Sequence, residues 1–121
     1  MRQRDRLAVQ IDTLARDEAS PWTALGSMIG ATLRFTETVP TPEYHRGEGF
    51  GRWPDETYDR HVFVTLVAGK VILGVAVAPW MGRNDREIPL WLTEAILADP
   101  ALAFDDARQW QLKAERRAPR S

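Results

Sequence analysis

Two short patterns combine residue types that can do chemistry: Glu43-Tyr44-His45 and Asp59-Arg60-His61, which together hold both histidines of the chain. An imidazole titrates near neutral pH, and a carboxylate beside it can orient the ring, the least that a general acid or base requires. On extended backbone, residues two apart point to one face. Each pair would then offer one oxygen and one nitrogen ligand, and two such strands side by side would make an N2O2 cation site. Acid-x-His is nonetheless an unspecific pattern in a chain in which 27% of residues are charged. The expectation is that no catalytic residue, no metal ligand and no cofactor is assigned. A small metal-dependent or acid/base enzyme using His45 and His61, with Glu43, Asp55 or Asp59 in support, stands as the alternative.

Other chemistries are easier to set aside. With no Cys, the chain has no disulfide framework, thiolate zinc site, iron-sulfur site or cysteine nucleophile. None of Ser20, Ser27 and Ser121 sits in a G-x-S-x-G elbow. Gly47-Glu48-Gly49-Phe50-Gly51 alternates glycines in the manner of a phosphate-cradling loop, but Glu48 would repel phosphate and no Gly-Lys-Ser/Thr follows.

The excursion from Pro40 to Arg60 carries a different signal. Tyr44, Phe50, Trp53 and Tyr58 are interleaved there with Arg46, Arg52 and Arg60. Aromatic and arginine side chains dominate interface hot spots, because each buries a large area with few torsions to freeze and keeps a polar tip. The leading expectation is a non-enzymatic module that binds a partner protein through these seven residues, with arginines meeting acidic groups of the partner. The competing expectation makes Trp53 and Phe50 a lid folded back over the core, since large aromatics are usually buried. Trp80, Trp91 and Trp110 read as packing residues.

The net charge is −1, and only two of the 16 basic residues are lysines, a bias of GC-rich bacterial or phage genomes. Arginines cluster at Arg2, Arg4 and Arg6, and basic residues again at Lys113, Arg116, Arg117 and Arg120. A nucleic-acid accessory factor using these termini is a second alternative, against which the near-neutral total argues. Polar residues interrupt Leu7 to Asp12, so no secretory h-region forms and a cytoplasmic location is expected. Val62 to Ala78 is the most membrane-like stretch, but Lys70 at its centre would cost about 2.5 to 3.5 kcal/mol on insertion, and its six valines around Gly69-Lys70 suit two strands instead.

The elements that must position these residues follow from periodicity. Leu7, Ile11, Leu14 and Ala15 share one face of a helix over 3–18. Ser20-Pro21 resembles an N-cap followed by proline at the first helical position, which predicts a short helix from Pro21 to Met28 or Ile29. Alternation from Ala31 to Val39 predicts a half-buried strand. His61–Ala68 and Val71–Ala78 predict a hairpin turning at Gly69-Lys70. Both of its strands are apolar on both faces, so it should be sandwiched between helices, or between helices and a second copy in a homodimer, and the small row Gly74, Ala76, Ala78 suggests a closely approaching backbone. Arg83-Asn84-Asp85-Arg86 reads as a polar turn before a helix near 88–98, and Asp99-Pro100 as the start of a last helix to about Arg117, with Ala103, Ala107, Trp110 and Ala114 as its apolar row. The order describes one α+β domain over 1–121: an antiparallel sheet (strand 31–39, hairpin 61–78) packed with N-terminal and C-terminal helices.

Overall fold

The computed structural model describes residues 2–26, 31–77 and 83–104. Five strands, β1 (Thr23–Leu25), β2 (Ala31–Pro40), β3 (Thr57–Val67), β4 (Lys70–Ala76) and β5 (Asn84–Ile88), form one antiparallel sheet in the order β1-β2-β3-β4-β5. Helices α1 (Gln3–Arg16) and α2 (Leu90–Ala98) precede and follow it, and a 3-10 turn over Pro100–Phe104 comes last. This is the expected α+β architecture.

Cross-strand partners share a face of the sheet. Leu33, Val64 and Leu73 lie in one row, and Leu66, Val71 and Ile88 in the next. All but the half-buried Leu66 belong to the buried core, together with Leu7 and Ile11 of α1, Leu92, Ile96 and Leu97 of α2, and Trp22. Burying each of these large apolar side chains contributes about 1.5 to 3 kcal/mol. The two helices are linked at the rim by Arg6 and Glu94, 3.6 Å apart.

Helix α1 ends two residues earlier than its apolar pattern implies. The Asp17 carboxylate accepts a hydrogen bond from the backbone N–H of Ala19 (2.9 Å), a local alternative to helical bonding. The helix expected from Pro21 does not form. Its described part is strand β1, while residues 27–30 lie outside the described residues. Ser20 Oγ does accept a backbone N–H, but from Trp22 two residues on, which closes a turn rather than capping a helix. Trp22 then decides the geometry: its indole Nε1–H donates to the Leu97 carbonyl at 3.1 Å and its ring lies 6.0 Å from that of Phe35. Leu97 is in the last turn of α2, where carbonyls lack helical partners, so the indole satisfies a group the helix cannot.

The hairpin is confirmed, with a corrected turn. Val67 pairs with Lys70, and the turn residues are Ala68 and Gly69, both at positive φ (50° and 75°). Two positive-φ residues match the right-handed twist of the flanking strands better than a turn shifted by one would. Arg4 of α1 lies against this turn, its Cδ 2.9 Å from where a Gly69 Cβ would sit. The supposed polar turn at Arg83–Arg86 is largely strand β5, an edge strand exposed from Asn84 to Glu87 and buried at Ile88. Helix α2 starts at Leu90 with Pro89 as its N-cap, and the buried Thr93 hydroxyl donates to the Pro89 carbonyl at 3.0 Å. The described start of the expected last helix is the 3-10 turn with Ala103 buried, while Ala107, Trp110, Ala114 and Arg117 lie outside the described residues, as does Trp80.

The hairpin is not sandwiched by described elements, whose helices pack on one face only. Its other face is covered by side chains of the sheet itself. The Arg83 guanidinium stacks on Phe63, 4.3 Å from the ring centroid, and its Nε donates to Asp85 Oδ1 at 2.6 Å. What approaches Gly74 is this same pair, with Asp85 Oδ1 at 2.5 Å from a hypothetical Cβ, and not another backbone. Flat contact with a guanidinium shields an aromatic ring that neither described helix reaches.

Candidate functional site

Strands β2 and β3 pair over ten positions, from Ala31 opposite Leu66 to Pro40 opposite Thr57. The excursion expected over 40–60 is thereby shortened to 41–56, and its base is closed by the Thr41 N–H donating to the Glu56 carbonyl at 2.8 Å. Thr57–Arg60 join β3 because their cross-strand neighbours complement them: Thr38 Oγ1 donates to Asp59 Oδ1 (2.6 Å), and Arg60 donates to Glu37 Oε2 through Nε (3.0 Å) and Nη2 (2.8 Å).

Within the loop, Glu43–His45 form a single 3-10 turn and Arg46 bridges to Trp53. The Trp53 N–H donates to the His45 carbonyl at 2.7 Å, and the Gly47 N–H donates to the Trp53 carbonyl at 3.0 Å. Between them the chain doubles back through Gly47, Gly49 and Gly51, all at positive φ, with the Arg52 N–H bonded to the Gly49 carbonyl at 3.1 Å. Positive φ is the region an L side chain resists, so these three glycines are what allow so tight a path. The loop is thus built by backbone hydrogen bonding.

The seven residues expected to bind a partner divide into two groups. Tyr44, Arg46, Phe50, Arg52 and Trp53 are in the loop. Phe50 is fully exposed, at 108% of its reference area, and Tyr44 is 73% exposed with its ring 4.5 Å from that of His45. Trp53 is half-buried and donates its Nε1–H to the Thr57 carbonyl at 3.0 Å. Arg46 pairs with Glu56 at 3.5 Å, and Arg52 Nη1 donates to the Tyr44 carbonyl at 2.5 Å. Tyr58 and Arg60, in contrast, lie on β3 opposite Val39 and Glu37 on the helix-covered face. There the Arg60 guanidinium stacks on Phe104 at 4.1 Å.

The two acid-x-His pairs also separate. Glu43 and His45 sit in the 3-10 turn, where residues two apart do not share a face. Asp59 and His61 do share a face of β3, where His61 Nδ1 is 2.9 Å from Thr36 Oγ1 and Asp59 is bonded to Thr38. His61 lies four residues along the strand from the loop base at Thr57, about 13 Å at strand spacing. Among the described residues no group of three or more His, Asp or Glu side chains is placed to hold a metal ion. No helix among them is long and apolar enough to cross a membrane.

Sequence reasoning missed a second cluster, on the sheet face away from the helices. Phe63 is the cross-strand neighbour of Arg34 on one side and of Gly74 on the other, with Arg83 stacked on it and the His61 ring 6.1 Å away. Arg34 Nε is buried without a hydrogen-bond acceptor. The period-two alternation of β2 against β3 was the signal that would have placed Arg34 beside Phe63. Because β3 and β4 are flanked by β2 and β5, self-association through the hairpin would have to use this face. A separate groove of about 290 Å³ runs between α1 and the β1–β2 end of the sheet, lined by Ala8, Ile11, Ala15, Leu25 and Leu33 with Asp12 among them. It brings together no set of groups for acid/base or nucleophilic work. Compared with protein-family models, curated proteins and solved structures, the chain matches none.

Proposed function

We propose that the protein is an interaction module that binds a partner protein through the loop at 41–56. The observation that carries this reading is Phe50, a full aromatic side chain left entirely in water at the turn of a loop that is otherwise tied down by its own hydrogen bonds. A lid made of Trp53 and Phe50 would bury both, whereas here Trp53 is half-buried and Phe50, like Tyr44, is exposed. A preformed loop loses little conformational freedom on binding, so contact area at its aromatic residues translates more fully into affinity.

The test is in-cell photocrosslinking with a benzophenone amino acid at position 50 and, as a control, at Glu18, an exposed site in the turn after α1. The expected result is a discrete protein adduct from position 50 that is absent from position 18 and is lost when Tyr44→Ala is added. Adducts of equal pattern from both positions would overturn the reading.

A further inference from the structure

We infer that the partner surface recognised by this loop is basic and carries an apolar recess, so that the loop acts as an acidic, aromatic plug; this rests on the proposal that the loop is the recognition site. The expectation from sequence was the reverse, arginines reaching out to acidic groups. The structure leaves both loop arginines exposed but engages each within the loop: Arg46 is paired with Glu56, and Arg52 is bonded to the Tyr44 carbonyl. Each brings charge to the loop's own framework.

The excess of charge facing water is of the opposite sign. Residues 41–56 contain four carboxylates, Glu43, Glu48, Asp55 and Glu56, against two arginines, a net charge of −2. Glu43, Glu48 and Asp55 are exposed and take part in no ion pair with a described residue. Two of them flank the exposed large aromatics among the described residues, Glu43 next to Tyr44 and Glu48 two residues before Phe50. An exposed aromatic with carboxylates around it fits a recess rimmed by Lys or Arg, where opposite potentials steer the encounter and fix orientation. The same charges repel nucleic-acid phosphates and anionic lipid headgroups, so a protein or peptide with cationic side chains is the class selected.

The experiment titrates three synthetic peptides into the full-length 15N-labelled protein, each with the same Leu/Phe centre and with Lys/Arg, Ser/Gly or Asp/Glu flanks. The expected result is saturable shifts of the Gly47, Gly49 and Gly51 amide signals with the basic peptide, weakening as salt is raised, and about tenfold weaker binding of the acidic one. In the Glu43→Gln/Glu48→Gln/Asp55→Asn variant the preference between peptides should vanish while binding of the neutral peptide persists. Tyr44→Ala/Phe50→Ala should abolish all three. Equal binding of all peptides by the wild-type protein overturns the charge assignment and leaves the loop as a recognition site. Absence of shifts at the loop with every peptide overturns the recognition reading, and this inference with it.

Discussion

The helix-covered face of the sheet and the β2–β3 loop both concentrate large side chains, and they hold their shapes by opposite means. On the covered face Leu7, Val62, Val64, Val71 and Ile96 are essentially without solvent exposure, so contact among side chains fixes the geometry. In the loop, backbone hydrogen bonds and three positive-φ glycines fix the path, Phe50 contributes no buried area and Tyr44 is largely exposed. The difference separates residues kept for folding from residues free to serve something else. A large aromatic that supports nothing beneath it has its contact area in reserve.

The strongest way to break this contrast is truncation. Ile96→Ala should cost about 2 to 5 kcal/mol in denaturant unfolding, the range for emptying a packed core site. Next comes Trp22→Phe, which keeps most of the ring but leaves the Leu97 carbonyl without its donor. A loss of about 1 to 3 kcal/mol is expected, and a loss under about 0.5 would show that water replaces the indole. Gly51→Ala sharpens the other side. A Cβ there meets nothing within 4 Å, so its effect is purely conformational. About 1 kcal/mol of strain should appear as faster amide exchange confined to the loop, with the core amides unchanged. Conversely, Ala68→Gly relieves a positive φ at the hairpin turn and should raise stability by up to about 1 kcal/mol. Smallest of all, Phe50→Ala should leave the unfolding midpoint within about 0.5 kcal/mol of wild type, and a larger loss would restore the lid.

How much of this was legible in the sequence depended on whether side chains or backbone set the local structure. The hairpin was readable because β-branched residues occupy β3 and β4 on both faces. Strand β5 was not, because Asn84-Asp85-Arg86-Glu87 has the composition of a turn and is a strand only through its pairing with β4. Ser20-Pro21 carried a sound local helix signal that lost to a distant partner, the indole of Trp22 meeting α2. At the site, the aromatic and arginine content marked the loop correctly as unusual. Residue type could not tell which aromatics would be exposed, nor that Arg46 and Arg52 would each find a partner within the loop while Glu43, Glu48 and Asp55 did not. Those outcomes follow from a path set by hydrogen bonds between backbone groups, which every residue carries alike.

The charge order along β5 has a consequence for how copies of this chain can meet. Were two such edges to join as one continuous antiparallel sheet, a two-fold axis would pair residues symmetrically about its centre. Centred on Arg86, that arrangement sets Arg86 against its own counterpart and Asp85 against Glu87; moved one residue either way, it sets Asp85 against Asp85 or Glu87 against Glu87. Each of these three registers opposes like charges directly across the seam, which is destabilising. Symmetric joining of two copies at this rim is thereby disfavoured by the sequence of a five-residue strand whose composition alone gave no hint of being one.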